Sequence, residues 1–277
     1  MRMDCNAKIN LGLFITEKRQ DGFHNLESIF LPIPWFDVIQ IEQSDKTTFT
    51  SSGILIDGDH SNNLCMQAYQ LLAKDFILPP VSIHLEKNIP IGAGLGGGSS
   101  NAAFVLKGLN EMFQLNLSVE RLEHLASELG SDCTFFIQNR AAFVTGRGEK
   151  LNSDLPLELN CYCLVVNPGV HISTKEAFSN VSPKPAKTDL LNIANVPKKE
   201  WQELIYNDFE TSILPKYKQL QQLRQNLQEL NPFYVSMSGS GSTFFALFEE
   251  KPTGYDFLSY ANKCFKLNVN QKKRRSS

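Results

Sequence analysis

Strand-like and helix-like patterns mix along this chain without the regular alternation of a parallel barrel, which predicts an α+β fold. Alternation with period two marks Val38-Ile39-Gln40-Ile41-Glu42 and Val81-Ser82-Ile83-His84-Leu85 as strands. Apolar residues at helical spacing, Ala102, Val105, Leu106, Leu109, Met112 and Phe113, mark a helix. The 277 residues are long for one domain, and the pattern predicts a boundary near residue 150, with domains over 1–150 and 151–277.

The remaining elements follow in order. Ala7 to Ile15 alternates and then turns continuously apolar, as a strand does when both faces become buried. Asp21-Gly22 is a turn signal. Asn63 to Leu72 reads as a helix, and a further helix runs from Ser118 as N-cap to a stop at Gly130. Ala141 to Val144 predicts a strand ending in the turn Gly146-Arg147-Gly148, and Cys161 to Asn167 a strand closed by Pro168-Gly169. The Pro-, Lys- and Asn-rich stretch from Ser182 to Lys199 predicts a loop. Helices are expected over Trp201–Phe209 and Tyr217–Leu230, then strands Tyr234–Met237 and Phe244–Phe248.

Composition excludes several classes. With 27 Lys plus Arg against 29 Asp plus Glu, no global field draws the chain to nucleic acid or anionic lipid. The basic run Lys272, Lys273, Arg274, Arg275 reads as a solvated terminus. No apolar stretch approaches the ~18–20 residues of a membrane span, and the first residues carry no apolar leader. Six scattered cysteines, with Cys161 and Cys163 on one strand face, predict reduced core thiols in a cytoplasmic protein. Five dispersed histidines predict no dedicated metal site.

Glycine is scarce, 17 residues in all, yet clustered. Pro90-Ile91-Gly92-Ala93-Gly94-Leu95-Gly96-Gly97-Gly98-Ser99-Ser100 lies between a strand and a helix, and Gly239 and Gly241 form a second group. Such a loop points successive N–H groups inward, and the helix adds its positive dipole end, so phosphate is the natural guest. The match to G-x-G-x-x-G does not imply a dinucleotide fold, because Asn88-Ile89-Pro90 interrupts the strand and no parallel βαβ succession follows. A Walker P-loop needs Lys before Ser, and position 98 is Gly. A phosphate loop of another kind remains, against the alternative of a Ser-capped turn that so many glycines make entropically costly.

The run Pro90 to Ala103 resembles the second motif of the GHMP kinase superfamily, P-x-G-x-G-L-G-S-S-A-A. Its extended form G-L-G-G-G-S-S-N-A-A is similar to that of the members acting on 4-diphosphocytidyl-2-C-methyl-D-erythritol. Ala7 to Leu11 with Lys18 to His24 resembles their N-terminal signature, and Ser236 to Thr243 the superfamily's third motif. The resemblance implies a ribosomal-protein-S5-like N-terminal domain and a ferredoxin-like C-terminal one. It implies ATP-dependent phosphorylation of the 2-hydroxyl of that cytidine diphosphate compound, in non-mevalonate isoprenoid synthesis. Another small-molecule kinase, for homoserine, mevalonate or a sugar, would share the glycine loops but not Lys18 to His24 in this form. An inactive nucleotide-binding module would lack Lys8 or Asp132, and both are present.

Asp132, between the helix stop at Gly130 and Phe135-Phe136, reads equally as a helix N-cap or a general base, and the resemblance favours the base. Cys133 and Thr134 stand where the family usually has Val and Pro. Lys8 in its apolar strand reads as a snorkelling lysine, whereas the resemblance sets it beside the Asp. Asn10 shares its strand face and is implied at the substrate hydroxyl. The resemblance assigns His24 to the cytosine edge, Phe23 to stacking on the base where Tyr is common, and Thr174 to the substrate. Phe178 stands for the opposite stacking face or for an ordinary core ring. Pro90, Gly92, Gly94, Leu95, Gly96, Gly97, Gly98, Ser99 and Ser100 would cradle ATP, with Asn63 and Lys87 on the adenine side. Lys87 reads equally as a solvated strand end, and Asn207-Asp208-Phe209-Glu210 as structural. Mg²⁺ is expected, held by phosphate and water rather than by a carboxylate cage. The expected partners are the small-molecule cytidine substrate, no nucleic acid and no membrane, in a monomer or weak homodimer.

Overall fold

Backbone hydrogen bonds gather the strands into two sheets in the computed structural model, which describes residues 1–56, 58, 62–179, 181–255 and 260–271. His60 and the basic tail from Lys272 to Arg275 lie outside the described residues. Two long strands, β1 (Arg2–Lys18) and β2 (His24–Gln43), flank the Asp21-Gly22 turn. β3 (Thr48–Gly53), α1 (Leu64–Asp75), β4 (Val81–Lys87), α2 (Gly97–Met112), α3 (Val119–Leu129) and α4 (Cys133–Gln138) follow, then β5 (Ala142–Thr145) and β6 (Lys150–Asn152). The second half contains β7 (Leu157–Asn167), α5 (Thr174–Ser179), α6 (Trp201–Leu204), α7 (Asp208–Ile213), α8 (Lys218–Glu229), β8 (Tyr234–Met237), β9 (Phe244–Phe248) and β10 (Ala261–Gln271).

The first sheet has the order β3-β4-β2-β5-β6, with β1 also paired to β2, and only β3–β4 among its registered pairs is parallel. The second sheet is antiparallel in the order β10-β7-β9-β8. The expected strands and helices are present, and the mixture is α+β. β3 and β10 are the outer strands of their sheets; β3 is polar and lacks apolar alternation, whereas in β10 Phe265, Leu267 and Val269 alternate with Lys266 and Asn268, a strand signal that sequence reasoning missed. Helix α3 has the expected caps: Ser118 Oγ accepts from Arg121 N at 3.3 Å, and Gly130 ends it.

Two expectations change. The helix expected over Trp201–Phe209 is split, because Tyr206 O accepts from Leu13 N at 3.0 Å and Asn207 bridges Leu13 as extended backbone. Asn207 then caps α7, its Oδ1 accepting from Phe209 N at 3.0 Å. The Ser182–Lys199 loop contains short 3-10 turns at Leu190–Asn195 and Lys198–Glu200, the first capped by Asp189.

Packing divides the chain into two compact units that interleave in sequence. The first comprises Met1–Lys8, Pro34–Ile91 and Gly96–Arg140; the second comprises Ile9–Ile33, Gly92–Leu95 and Ala141–Ser277. This partition differs from the sequence division at residue 150, because β1 and β2 each contribute residues to both units. In the first unit α2 packs against α1, α3 and α4 through buried Val105, Leu106, Leu109, Leu125 and Phe136. In the second, Leu164 and Val166 of β7 join Leu220, Leu223 and Leu227 of α8 in one core, while Cys161 and Cys163 are buried by the strand's alternation. Both are free thiols.

Gly12 interrupts the side-chain pattern of β1 at a φ of +69°, and a Cβ there would stand 2.7 Å from Ile205 Cγ2. A left-handed residue with a side chain costs about 1–2 kcal/mol and overpacking about 1–3 kcal/mol. Gly12→Ala should therefore lower the unfolding free energy by about 2–5 kcal/mol in denaturant titration, whereas a loss under about 0.5 kcal/mol contradicts this packing.

Candidate active site

The glycine loop is shared between the units, so its environment falls into two parts. In the first unit, Gly96 is the N-cap of α2 at φ +68° and supplies no side chain to the helix. The first turn of α2 contains no acidic residue, so its amides are not answered by a local carboxylate. Ser100 is wholly buried in that turn and its Oγ lacks a hydrogen-bond partner. A Cβ on Gly96 would press on Lys8 Cγ and Phe136 Cζ at 3.1 Å each, so the missing side chain lets the loop pass close over Lys8. Gly98 faces Leu64 at the start of α1, next to the cap residue Asn63. Asn63 Oδ1 is engaged by Cys65 N at 2.9 Å.

Lys8 is 3% exposed and its Nζ lies 3.3 Å from Asp132 Oδ2. Asp132 occupies the N-cap position of α4, yet its side chain makes no capping bond. Its carboxylate instead faces the lysine, and a third of its side-chain surface remains open. Cys133, immediately after, is buried, and that burial pushes its thiol up to about 12, so it stays protonated.

Lys87 is not a solvated strand end. It is 4% exposed and paired with Asp37 at 2.5 Å. Burial depresses its ammonium, and Asp37 offsets part of that shift. Gly97 rests against it, since a Cβ there would lie 2.9 Å from Lys87 Nζ.

In the second unit the two glycine clusters meet. A Cβ on Gly94 would collide with the carbonyl of Ser238, and Gly239 approaches the Gly94 backbone. Ser238 Oγ donates to Gly94 O at 2.8 Å, and Thr243 N to Ala93 O at 3.3 Å. Asn10, 1% exposed, donates to Ser28 Oγ at 3.0 Å, and its Oδ1 lies 3.4 Å from Ser238 Oγ. Gly92 borders His171. Pro90 is half-buried and Leu95 is buried, while Ser99 is half-buried.

Phe23 is 53% exposed and the Arg147 guanidinium covers one ring face at 4.8 Å. Asp21, clamped by Arg19 at 2.8 Å, accepts from Phe23 N at 3.1 Å and fixes that turn. His24 stacks on Phe178 with centroids 4.8 Å apart, and Phe178 meets Phe209 edge-on. Both rings expected on either side of a base thus have other partners, and Phe178 is also a core-edge ring. Burial first, and then Lys18, lower the His24 imidazole from its ordinary value. It is therefore neutral near pH 7, with one nitrogen donating and one accepting. Thr174 is exposed at the start of α5, one turn before Phe178.

Sequence reasoning missed Asp37, Arg147 and the depth of Glu210. Asp37 stands just ahead of an alternating strand, and a carboxylate amid Trp35, Phe36 and Val38 was its signal. Glu210 accepts from Met237 N at 2.8 Å, Ser236 Oγ at 2.9 Å and Arg224 Nε at 3.2 Å. Asn207 Nδ2 donates to both Met237 O and Gly239 O at 2.8 Å. The stretch read as structural is therefore the clamp on the second glycine cluster.

Two family descriptions match the chain: "GHMP kinases N terminal domain" over residues 63–147 and "GHMP kinases C terminal" over 193–267. A protein of Parabacteroides distasonis named 4-diphosphocytidyl-2-C-methyl-D-erythritol kinase is 45% identical over 261 residues, covering 94% of this chain and 96% of that protein. The like-named protein of Bacteroides fragilis is 48% identical over 271 residues, covering 95% of this chain and 98% of its own length. The chain belongs to the GHMP kinases. A solved 4-(cytidine 5'-diphospho)-2C-methyl-D-erythritol kinase shares 30% identity with this GHMP kinase at a TM-score of 0.78, covering 98% of this chain and 100% of that one. A homoserine kinase from Cytophaga hutchinsonii, 17% identical at a TM-score of 0.63 with 98% and 97% coverage, shares the fold alone. As a GHMP kinase the protein is an ATP-dependent phosphotransferase with the two-domain fold of its family. Among the described residues no helix is long and apolar enough to cross a membrane.

Burial raises the Glu210 carboxyl above its ordinary 4.5, against the pull of Met237 N–H and Arg224. The folded protein holds this proton more tightly than the unfolded chain does. Its stabilising effect is complete below pH 4.5 and is lost as pH rises through the raised value. The unfolding free energy of the wild type minus that of Glu210→Gln should fall across that window and then level. Denaturant titrations from about pH 4 to about pH 8 check this, and a pH-independent difference contradicts it.

Proposed function

We propose that this kinase transfers the γ-phosphoryl group of ATP to the 2-hydroxyl of 4-diphosphocytidyl-2-C-methyl-D-erythritol, a step in non-mevalonate isoprenoid synthesis. The pairing of buried Lys8 with Asp132 beneath the glycine loop carries the reading. Asp132 takes the hydroxyl proton, the freed oxygen attacks the γ-phosphorus in line, and ADP leaves. Lys8, 3.3 Å from that carboxylate, adds positive charge near the reacting groups. The amides from Gly96 to Ser100 receive phosphate oxygens, and Gly92, Gly94 and Leu95 shape the approach to them. Asn63 and Lys87 belong to the adenine side, where Asn63 retains its amide N–H₂ after capping α1.

The cytidine end rests on Phe23, whose second face is left for the base, and on His24, whose neutral imidazole reads the cytosine edge. Phe178 backs His24, and Thr174 and Asn10 complete the acceptor side. The relatives' shared name and the Lys18 to His24 signature favour this acceptor over homoserine or mevalonate. Mg²⁺ fits the donor set, since Ser100 Oγ is buried without a partner in the first turns of α2. The ion would be held by Ser100, phosphate and water, and it supplies charge neutralisation on the triphosphate. Six free cysteines support a cytoplasmic setting.

Asp132→Asn should keep the fold and substrate KM while lowering kcat by ~10²–10⁴, the usual loss on removing a general base. A coupled ADP-release assay checks this, and wild-type turnover by Asp132→Asn would overturn the assignment.

A further inference from the structure

The Asp37 carboxylate is fully buried and joins the two ends of the glycine loop. Its Oδ1 accepts from the backbone N–H of Asn88 at 2.7 Å and of Ile89 at 2.8 Å, the last residues before Pro90. Its Oδ2 accepts from Lys87 Nζ at 2.5 Å and from Asn101 Nδ2 at 3.0 Å, and Asn101 lies in the opening turns of α2. The segment entering the loop and the helix leaving it are thus fixed to one group. Lys87, held by the same carboxylate, lies directly against Gly97. A buried ion pair is a poor source of stability, since well-packed apolar residues of like volume often do as well or better. What this pair supplies that apolar residues cannot is direction: two loop amides, one ammonium and one side-chain amide are aimed at fixed points.

We propose that Asp37 is a positioning residue for the nucleotide. It touches no substrate; it sets the spacing of the amides from Gly97 to Ser100 through Asn88, Ile89, Lys87 and Asn101. The proposal rests on the reading of this loop as the ATP phosphate cradle. Displacing loop amides by a fraction of an ångström weakens phosphate contacts while leaving the acceptor's contacts alone, so the effect separates by substrate.

Asp37→Asn retains the Oδ1 acceptor for Asn88 and Ile89 but turns a donor toward Lys87 and Asn101. With folding verified by circular dichroism and cooperative thermal unfolding, KM for ATP and the Kd for a fluorescent ATP analogue should rise about tenfold or more. KM for the cytidine acceptor should stay within about twofold. Equal changes in both KM values, or no change in either, overturn the proposal. Should Asp37→Asn fail to fold, Asn101→Ala removes only the helix-side arm and is expected to show the same split, about threefold or more on ATP alone. Absence of that split overturns the proposal as well. A wild-type protein that binds no ATP analogue would overturn the cradle reading itself, an outcome distinct from any behaviour of the variants.

Discussion

Backbone meets backbone where Gly94 lies under the Ser238 carbonyl, and much of the second unit is arranged to permit that approach. No side chain fits there, so Gly94 and Gly239 are fixed by sterics and not by flexibility. Close approach also buries peptide groups, which must find partners or cost free energy. Ser238 and Thr243 answer the carbonyls of Gly94 and Ala93. Asn207 answers those of Met237 and Gly239, and Glu210 receives the Met237 N–H. Asn207 and the short helix α7 therefore hold the second glycine cluster, which packs against the first at Gly94. The placement of α7 explains why the chain abandons a helix at Ile205 and starts another at Asp208.

In the first unit the same loop continues over charge. Gly96 crosses the stem of Lys8, and Gly97 rests on Lys87. The two lysines differ in what answers them. Asp132 keeps a third of its side-chain surface open, whereas Asp37 is sealed and spends its lone pairs on hydrogen bonds within the fold. Phosphoryl transfer asks little covalent chemistry of a protein; it needs positioning and charge, which backbone amides and ion pairs can supply.

Much of this was legible in the sequence because the relevant signals are local. Ser118 and Gly130 bound α3 as caps should, and the spacing after Ser100 specifies α2. Lys8 stood out as a charge in an apolar run, though only the fold brings Asp132 to it across 124 residues of chain (132 − 8). Asp37 likewise stood among apolar residues, but its partners were unreadable because its donors arrive from residues 50 to 64 positions later. Edge strand β3 lacked apolar alternation because an outer strand needs little burial, whereas β10 did alternate through Phe265, Leu267 and Val269 and was legible. The partner of Phe23 was unreadable too, since a guanidinium over an aromatic ring leaves no periodic trace.

The account is tested most directly by supplying ATP with one candidate acceptor at a time and following ADP release beside ³¹P spectra of the product. It predicts turnover with 4-diphosphocytidyl-2-C-methyl-D-erythritol, a new phosphomonoester on its 2-oxygen, and negligible turnover with homoserine or mevalonate. Phosphorylation of homoserine or mevalonate with the cytidine compound left untouched would contradict it.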